Sequence, residues 1–251
     1  MITVGGRAHS IEEAHEVGKL QLPFVEMSMD DPETVMRWKH ELIDMSSSYG
    51  IRYLAHYPNE DNPFDVGILK DRFVPKIKAL IDLSADLGIP KATMHFWIDK
   101  RWAPEGLIPR KLELLSEIVA HASESGVMIC IENLSERHHS FQAAFEFVPD
   151  LMMTLDIGHA QLLARKNTSF DFIESCAERI AHVHVHDNFG GTSVKDDLHL
   201  ALGDGKVDYK AIVSALLLSG YDSTITMEVK TRDMTRTRKA LEDCMGPGGT
   251  P

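Results

Sequence analysis

The sequence has few cysteines, and their positions exclude the chemistry that paired cysteines provide. Cys130, Cys176 and Cys244 are far apart, and none of them lies in a CxxC pair. Neither a dithiol redox motif nor a thiolate zinc site is therefore indicated. Because an odd number of unpaired cysteines suits a reducing compartment, we expect a cytoplasmic protein.

Long hydrophobic runs are also absent. The N-terminal stretch "MITVGGRAHSIEEAHEVGKL" turns polar after four residues, so it lacks the apolar segment of a secretory signal. No apolar run approaches the roughly 20 residues that are needed to span a bilayer. The prediction from both absences is a soluble protein with no membrane partner.

Basic residues are outnumbered by acidic ones. The chain has 26 Lys and Arg against 38 Asp and Glu, which gives a formal net charge of −12. A charge of this sign repels polyanions, so a broad nucleic-acid surface is disfavoured unless basic residues cluster locally. We expect a cation or a small molecule as the partner, and the sequence leaves a monomer and a homo-oligomer both open.

The 251 residues, of which 43% are hydrophobic and 25% charged, are typical of one α/β barrel. Short β-branched runs alternate with amphipathic segments, which predicts parallel strands joined by helices. A doubly wound sheet is the alternative, but "GGRAH" after the first run does not match GxGxxG. We therefore predict a single (β/α)8 TIM barrel over residues 1–245, followed by a disordered tail, 246–251. The predicted strands are 2–6, 24–29, 51–57, 91–96, 127–133, 151–158, 180–187 and 223–229.

Several helix boundaries carry recognisable signals. Ser10 and Glu13 have the spacing of a capping box, and Asp31 precedes a proline that suits a first helical turn. Two longer helices are predicted over 69–88 and 108–126, because each of these segments closes on a glycine.

The alternation of side chains along each predicted strand indicates which residues face the barrel interior. In the fifth strand, Val127, Ile129 and Ile131 suit packing under helices, so Glu132 is expected to face inward. The same reasoning predicts an inward carboxylate or imidazole near the C-terminal ends of six consecutive strands. These residues are His56, His95, Glu132, Asp156, His184 and Glu228.

The C-terminal end of the strands is where barrel enzymes build their active sites. Carboxylates that converge there without partners would repel one another and lose hydration, and a divalent cation removes that problem. Mixed carboxylate and imidazole ligands favour zinc, manganese or iron(II) over calcium or magnesium. In "HVHVHDN", we predict that His184 is a ligand, that His182 supports it from below, and that His186 lies at the rim.

Structural explanations compete with each of these assignments. A lone inward histidine, such as His56 or His95, is more often held by hydrogen bonds than bound to a metal. The acids could instead form ion pairs, although the inward faces supply few cations apart from Arg52 and Lys230. Lys230 could neutralise a phosphate or an enolate, or bind one of the acids. Trp97 could form an apolar wall for a sugar ring, or plug the barrel mouth.

The motifs "IEN", "LDIGH", "HVHD", "DLHLALGDG" and "MEV", in this order, resemble the xylose-isomerase-like TIM-barrel superfamily. That superfamily includes sugar and sugar-phosphate isomerases and epimerases, and the endonuclease-IV-like apurinic-site enzymes known as AP endonuclease family 2. Resemblance to the isomerase branch implies one metal bound by Glu132, Asp156, His184 and Glu228. It also implies that Glu132 and Glu228 act as the catalytic groups that move protons.

Resemblance to the endonuclease branch implies a larger centre of three zinc ions. Six residues match the additional pattern: His56 and His95 with a bridging Glu132 for the first ion, and His159, Asp197 and His199 for the third. Two departures oppose this reading. The endonucleases usually have "DTCH" where this chain has "DIGH", and the loop "YPNEDNPFD" after the third strand is acidic and has no arginine for a phosphate.

The leading hypothesis is a metal-dependent enzyme that isomerises or epimerises a small sugar or sugar phosphate. Its cofactor would be zinc or manganese, as one to three ions, and Lys230, Trp97 and His186 would contact the substrate. The first alternative is a multinuclear zinc phosphoesterase, for which nucleic acid is an unfavoured but open substrate. The second is a barrel that binds metal or sugar without catalysis.

Overall fold

The computed structural model describes residues 1–246, so the predicted tail lies outside the described residues except for Gly246. Within this range the strands form a closed barrel in which each strand pairs in parallel with the next, and the eighth pairs with the first. The predicted (β/α)8 TIM barrel is confirmed. The strands are β1 Thr3–Ala8, β2 Phe24–Ser28, β3 Arg52–His56, β4 Lys91–Met94, β5 Met128–Glu132, β6 Met152–Asp156, β7 Ile180–Val185 and β8 Thr224–Met227.

Helices follow the strands around the outside of the barrel. They are α1 Ile11–Lys19, α2 Pro32–Tyr49, α3 Val66–Ile68, α4 Val74–Asp86, α5 Leu107–Glu124, α6 His138–Phe147, α7 Ser169–Cys176, α8 Tyr209–Leu218 and α9 Thr231–Met245. The helix predicted over 69–88 is interrupted, because a wide π-helical turn over 69–73 precedes α4. Pro75 has no N–H to donate to the carbonyl of Asp71, which favours an irregular turn at this point.

The predicted helix caps are present with one difference. The Asp31 carboxylate accepts a hydrogen bond from the N–H of Thr34 at 2.9 Å, as expected for a cap of α2. Ser10 Oγ accepts from the N–H of Glu13 at 3.3 Å at the start of α1. The Glu13 carboxylate, however, accepts from the N–H of His9 at 2.7 Å, one residue before the position that a capping box uses.

The apolar core lies between the barrel and the helices, and the barrel interior is polar. Outward residues such as Val183 and Val185 are fully buried under the helices. At the N-terminal end of the interior, Lys91 Nζ donates to the carbonyl of Ala181, to Ser223 Oγ and to Thr224 Oγ1. Lys91 therefore occupies this end of the barrel, and the polar cluster above it opens toward the C-terminal ends of the strands.

A buried ion pair fixes the loops on one side of that opening. Lys111 Nζ on α5 lies 2.5 Å from Glu60 Oε1 in the loop after β3, and both side chains are almost completely buried. Glu60 also accepts from the N–H of Trp97 in the loop after β4, at 2.8 Å. One carboxylate thus connects two loops and a helix beside the opening. None of the helices in residues 1–246 has the length and apolarity that a membrane-spanning segment requires.

Candidate metal centre

Strand register brings the polar side chains of β6, β7 and β8 to the same level. Asp156 is the register partner of His184, and His184 is in turn the partner of Thr226. Glu228 follows two residues after Thr226 and so points to the same side of the strand. Because every second residue of a strand faces inward, these three strands place a layer of possible ligands near the C-terminal end of the barrel.

Four of the residues predicted as metal ligands form the central group. Glu132, Asp156, His184 and Glu228 each offer one ligand atom, and these atoms all lie within 4.8 Å of one another. His184 Nδ1 lies 2.9 Å from Glu132 Oε1, 3.4 Å from Glu228 Oε1 and 3.9 Å from Asp156 Oδ2. All four side chains are buried, so the structure gathers this set in a site from which most water is excluded.

His56 and His95 form a second group with the other oxygen of Glu132. Each histidine places Nε2 at 3.2 Å from Glu132 Oε2. The Nδ1 atom of His56 lies 3.0 Å from the carbonyl of Tyr57, which leaves Nε2 directed at the carboxylate. Glu132 therefore lies between the second group and the central group, as the resemblance to the endonucleases implies.

The third group contains His159, His186, Asp197 and His199. His159 Nε2 and His199 Nε2 each lie 3.2 Å from Asp197 Oδ2. His186 directly follows β7 at the C-terminal end of the strand, but its side chain is fully buried and is not exposed at an open rim. The loop after β7 returns over it, since Asp187 exchanges two backbone hydrogen bonds with Leu200.

A glycine provides the space that the His186 ring occupies. A Cβ atom on Gly158 would lie 2.1 Å from His186 Cε1, which is too close for any side chain. Gly158 stands where the endonuclease motif "DTCH" has a cysteine. A cysteine at position 158 would therefore collide with His186, and the glycine allows His186 to be the fourth member of the third group.

The protonation of the centre reflects its excess of carboxylates. Burial alone would lower the pKa of His184, but Glu26, Glu228 and Glu132 raise it well above its ordinary value. Burial likewise opposes protonation of His199, yet its hydrogen bond to Asp197 raises its pKa to about 9. In the metal-free protein these imidazoles carry protons that partly neutralise the acids.

Several buried polar atoms of the cluster lack a hydrogen-bond partner within the described residues. They are Asp156 Oδ2, Asp197 Oδ1, His95 Nδ1 and both ring nitrogens of His186. His186 Nε2 lies 3.1 Å from Asp156 Oδ1, but the two atoms are not aligned for a hydrogen bond. Unpartnered carboxylate and imidazole atoms that converge in a buried site are the donor set that zinc or manganese prefers. The residues therefore fit a divalent cation.

Glu26 on β2 belongs to the cluster, although the sequence analysis did not identify it. Its carboxylate lies 3.0 Å from the Nε2 atoms of both His182 and His184, and it is completely buried. His184 therefore has Glu26 behind it and presents Nδ1 to the central group. The signal was available, because Val25 and Met27 flank Glu26 on the opposite face of β2.

Arg7 on β1 is the second residue that the sequence analysis missed. Its Nε atom lies 3.1 Å from Glu228 Oε1, and its side chain is buried. Arg52 and Lys230, which are predicted to lie on inward faces, are both exposed. The predicted first strand ends at residue 6 and therefore does not include Arg7, whereas β1 continues to Ala8.

A family comparison gives the wider context of this centre. The family described as "Xylose isomerase-like TIM barrel" matches residues 11–245. The chain belongs to this family. Among curated proteins, "Uncharacterized protein MJ1311" from Methanocaldococcus jannaschii is 27% identical over 217 residues, which is 80% of this chain and 73% of that protein.

Several solved structures share the fold of this chain. The crystal structure of a D-tagatose 3-epimerase-like protein superposes with a TM-score of 0.81 at 22% identity, covering 97% of each chain. The structure of the IOLI protein with a bound zinc atom superposes with a TM-score of 0.72 at 14% identity. It covers 95% of this chain and 96% of the other. At these identities the similarity establishes the architecture.

The remaining predicted site residues of this family member lie around the opening. Trp97 packs on Phe64 with ring centroids 5.1 Å apart, and its indole N–H donates to Ser135 Oγ at 3.3 Å. Lys230 is exposed immediately before α9 and makes no ion pair within residues 1–246. Trp97 therefore forms part of the wall on the β3–β4 side, and Lys230 lies at the edge of the β8 side.

The Glu26–His184 contact predicts a specific effect on metal affinity. Substitution Glu26→Gln removes the charge that orients His184, so we expect the affinity for zinc or manganese to fall roughly tenfold to a hundredfold. Isothermal titration of chelator-treated protein measures this directly. Glu117→Gln, an exposed change of the same kind on α5, serves as the control. Equal affinity in Glu26→Gln and wild-type protein would show that Glu26 does not support the centre.

Metal uptake should release protons. The raised pKa of His184 means that its ring is protonated at neutral pH, whereas a ligand imidazole must be neutral. Affinity should therefore increase with pH, by about tenfold per unit for each proton displaced, until the pH reaches the raised pKa. Titration in buffers with different ionisation enthalpies counts the protons. A heat of binding that is independent of the buffer would contradict this assignment.

Proposed function

We propose that this protein is a divalent-metal-dependent epimerase or isomerase that acts on a small sugar or sugar phosphate. The observation that carries the proposal is the convergence of two glutamates from separate strands, Glu132 at the end of β5 and Glu228 just after β8, with Asp156 and His184. A centre with two carboxylates on different sides can both hold a cation and reach a substrate from two directions.

The four residues of the central group would hold the cation. Bound there, zinc or manganese would polarise the carbonyl of a ketose and the hydroxyl on the adjacent carbon. The C–H bond of that hydroxyl-bearing carbon would thereby become more acidic. His184, fixed by Glu26 behind it, would contribute Nδ1 as a ligand, and Asp156 would contribute the oxygen that has no protein partner.

The glutamates would perform the proton transfer. Although burial raises the pKa of Glu228, the charge of His184 lowers it to about 2, so this carboxylate is ionised at neutral pH. The pKa of Glu132 is also held well below its ordinary value, against the effect of burial, by His95 and His184. One carboxylate would remove the proton from carbon, and the other, after taking a proton from solvent, would deliver it to the opposite face.

The comparisons support this class of reaction. One relative by fold is named a D-tagatose 3-epimerase-like protein, and another was solved with a bound zinc atom. In this chain Trp97 would provide an apolar wall for the sugar ring, and Lys230 would contact the substrate from the edge of the opening. His186 is fully buried within the third group, so any contact with the substrate would require the covering loop to open.

The proton-transfer role of Glu228 is testable with solvent deuterium. Glu228→Gln retains an oxygen for the metal but cannot carry a proton, so exchange at the substrate carbon should fall roughly a hundredfold to ten-thousandfold. The measurement is proton NMR of ketoses and ketose phosphates incubated with enzyme in D2O, with metal content determined in parallel. Glu117→Gln is the matched control. Undiminished exchange with full metal loading would eliminate this role.

A second candidate is a multinuclear zinc phosphoesterase that could act on abasic DNA. It is favoured by one observation: all nine residues of the endonuclease pattern fall into three adjoining groups, with Glu132 shared between two of them. Several ions in contact can activate water and hold the leaving oxygen of a phosphate ester. The acidic loop after β3 and the net charge of −12 oppose a nucleic-acid substrate.

Metal content and substrate distinguish the candidates. The isomerase requires one ion in the central group, whereas the phosphoesterase requires two or three zinc ions in each chain. We expect elemental analysis of the protein reconstituted with zinc or manganese to give about one tightly bound ion, and an abasic oligonucleotide to remain intact. Cleavage of that oligonucleotide by protein with three zinc ions would favour the second candidate. Metal binding without any turnover would favour a non-catalytic barrel.

A further inference from the structure

A cavity of about 230 Å³ lies beside the central group, between β1, β8 and the start of α9. Two buried residues, Arg7 and Glu228, line it together with His9, Glu13, His199, Val229, Lys230 and Thr231. The cavity therefore joins the proposed proton-transfer residue to the solvent. Any substrate that reaches Glu228 from this side must pass these residues.

Arg7 is buried in this cavity with most of its hydrogen-bonding capacity unused. Its side chain is only 7% exposed. The guanidinium makes one hydrogen bond within residues 1–246, a long one from Nη1 to the carbonyl of Glu26 at 3.4 Å. Nε lies 3.1 Å from Glu228 Oε1 but is not aligned with it, and it has no other partner. Nε is thus a buried donor without an aligned acceptor, and leaving such a donor unpaired is unfavourable.

The first turn of α9 presents a second group of donors to the same cavity. Thr231 is the first residue of this 15-residue helix, and no side chain caps its N-terminus. Asp233 in the first turn pairs instead with Arg236, at 3.0 Å. The N–H of Asp233 already donates to the carbonyl of Lys230 at 2.8 Å. The N–H groups of Thr231 and Arg232 remain, and together with the helix dipole they favour an anion at this end of α9.

We propose that Arg7 and the N-terminus of α9 form a binding site for the anionic group of the substrate, a carboxylate or a phosphate. The inference rests on the proposed function, because it defines the substrate class of that centre as acidic sugars or sugar phosphates. In this arrangement the Nε atom of Arg7 lies beside Glu228, and Nη2 of the same guanidinium donates to the anion. Lys230 adds a flexible positive charge at the outer edge.

Charge balance agrees with this assignment. The cluster contains the carboxylates of Glu26, Glu132, Asp156, Asp197 and Glu228, and Arg7 is the arginine in contact with it. An arginine that only neutralises a carboxylate usually makes two parallel hydrogen bonds to it. Arg7 makes none to Glu228, although its Nε lies 3.1 Å from Glu228 Oε1. Its misalignment and its unused donors indicate a partner that arrives with the substrate.

The test measures anion binding by isothermal titration of metal-free protein, so that the metal cannot bind the probe. Inorganic phosphate and D-gluconate are the two probes, and the tighter one identifies the source of the anionic group. We expect saturable binding to wild-type protein and a loss of affinity of roughly tenfold to a hundredfold in Arg7→Gln. Arg52→Gln, which removes an equal charge at the far end of the barrel, should bind as wild type does.

A second variant covers the case in which Arg7→Gln does not fold. Thr231→Glu places an acid in the first turn of α9, which suits the helix but repels an anion, so binding should again be lost. The inference is overturned if wild-type protein binds neither probe, or if the folded variants bind as well as wild type. Deuterium exchange with neutral ketoses in the metal-loaded enzyme tests the proposed function separately, so either conclusion can fail alone.

Discussion

The position of one imidazole governs the arrangement of this barrel. His184 has Glu26 at 3.0 Å behind it and Glu132 at 2.9 Å in front, with Asp156 and Glu228 also within 4 Å of its ring nitrogens. No single strand could supply these acids, because neighbouring inward positions on a strand are two residues apart along its axis. A closed barrel brings them around the imidazole from β2, β5 and β6 and from the residue that follows β8. The mutual repulsion of the acids then requires positive charge at their centre, from protons on the imidazoles or from a cation.

The polar interior is organised in layers along the barrel axis. Lys91 fills the N-terminal end, Glu26 and His182 lie above it, and the central group lies at the C-terminal end. Thr224 Oγ1 connects the first two layers, because it contacts both Lys91 Nζ and His182 Nδ1, and Glu26 connects His182 to His184 of the central group. The atoms without partners are concentrated in the uppermost layer, where Asp156 Oδ2 and Arg7 Nε remain unpaired. A functional centre is expected where the hydrogen bonds of a buried network remain incomplete.

The loops after β6 and β7 distinguish this centre from a simple four-ligand site. Gly158 admits the His186 ring, and the segment that follows β7 brings Asp197 and His199 beside His159. The resulting third group adjoins Asp156 of the central group through His186. The chain therefore combines the two glutamates proposed for proton transfer with the additional imidazole and carboxylate groups that a multinuclear centre would need.

The sequence alone determined the barrel and the inward direction of Glu132, Asp156, His184 and Glu228, because a strand exposes alternate residues to opposite faces whatever its surroundings. It also contained the signal for Glu26. Only the tertiary structure decided the depth of His186, which depends on a loop that returns over it, and the contact of Arg7 with Glu228, which depends on closure of β1 against β8. Periodicity is a local property of the backbone, whereas burial and pairing between the first and last strands depend on how distant segments close the ring.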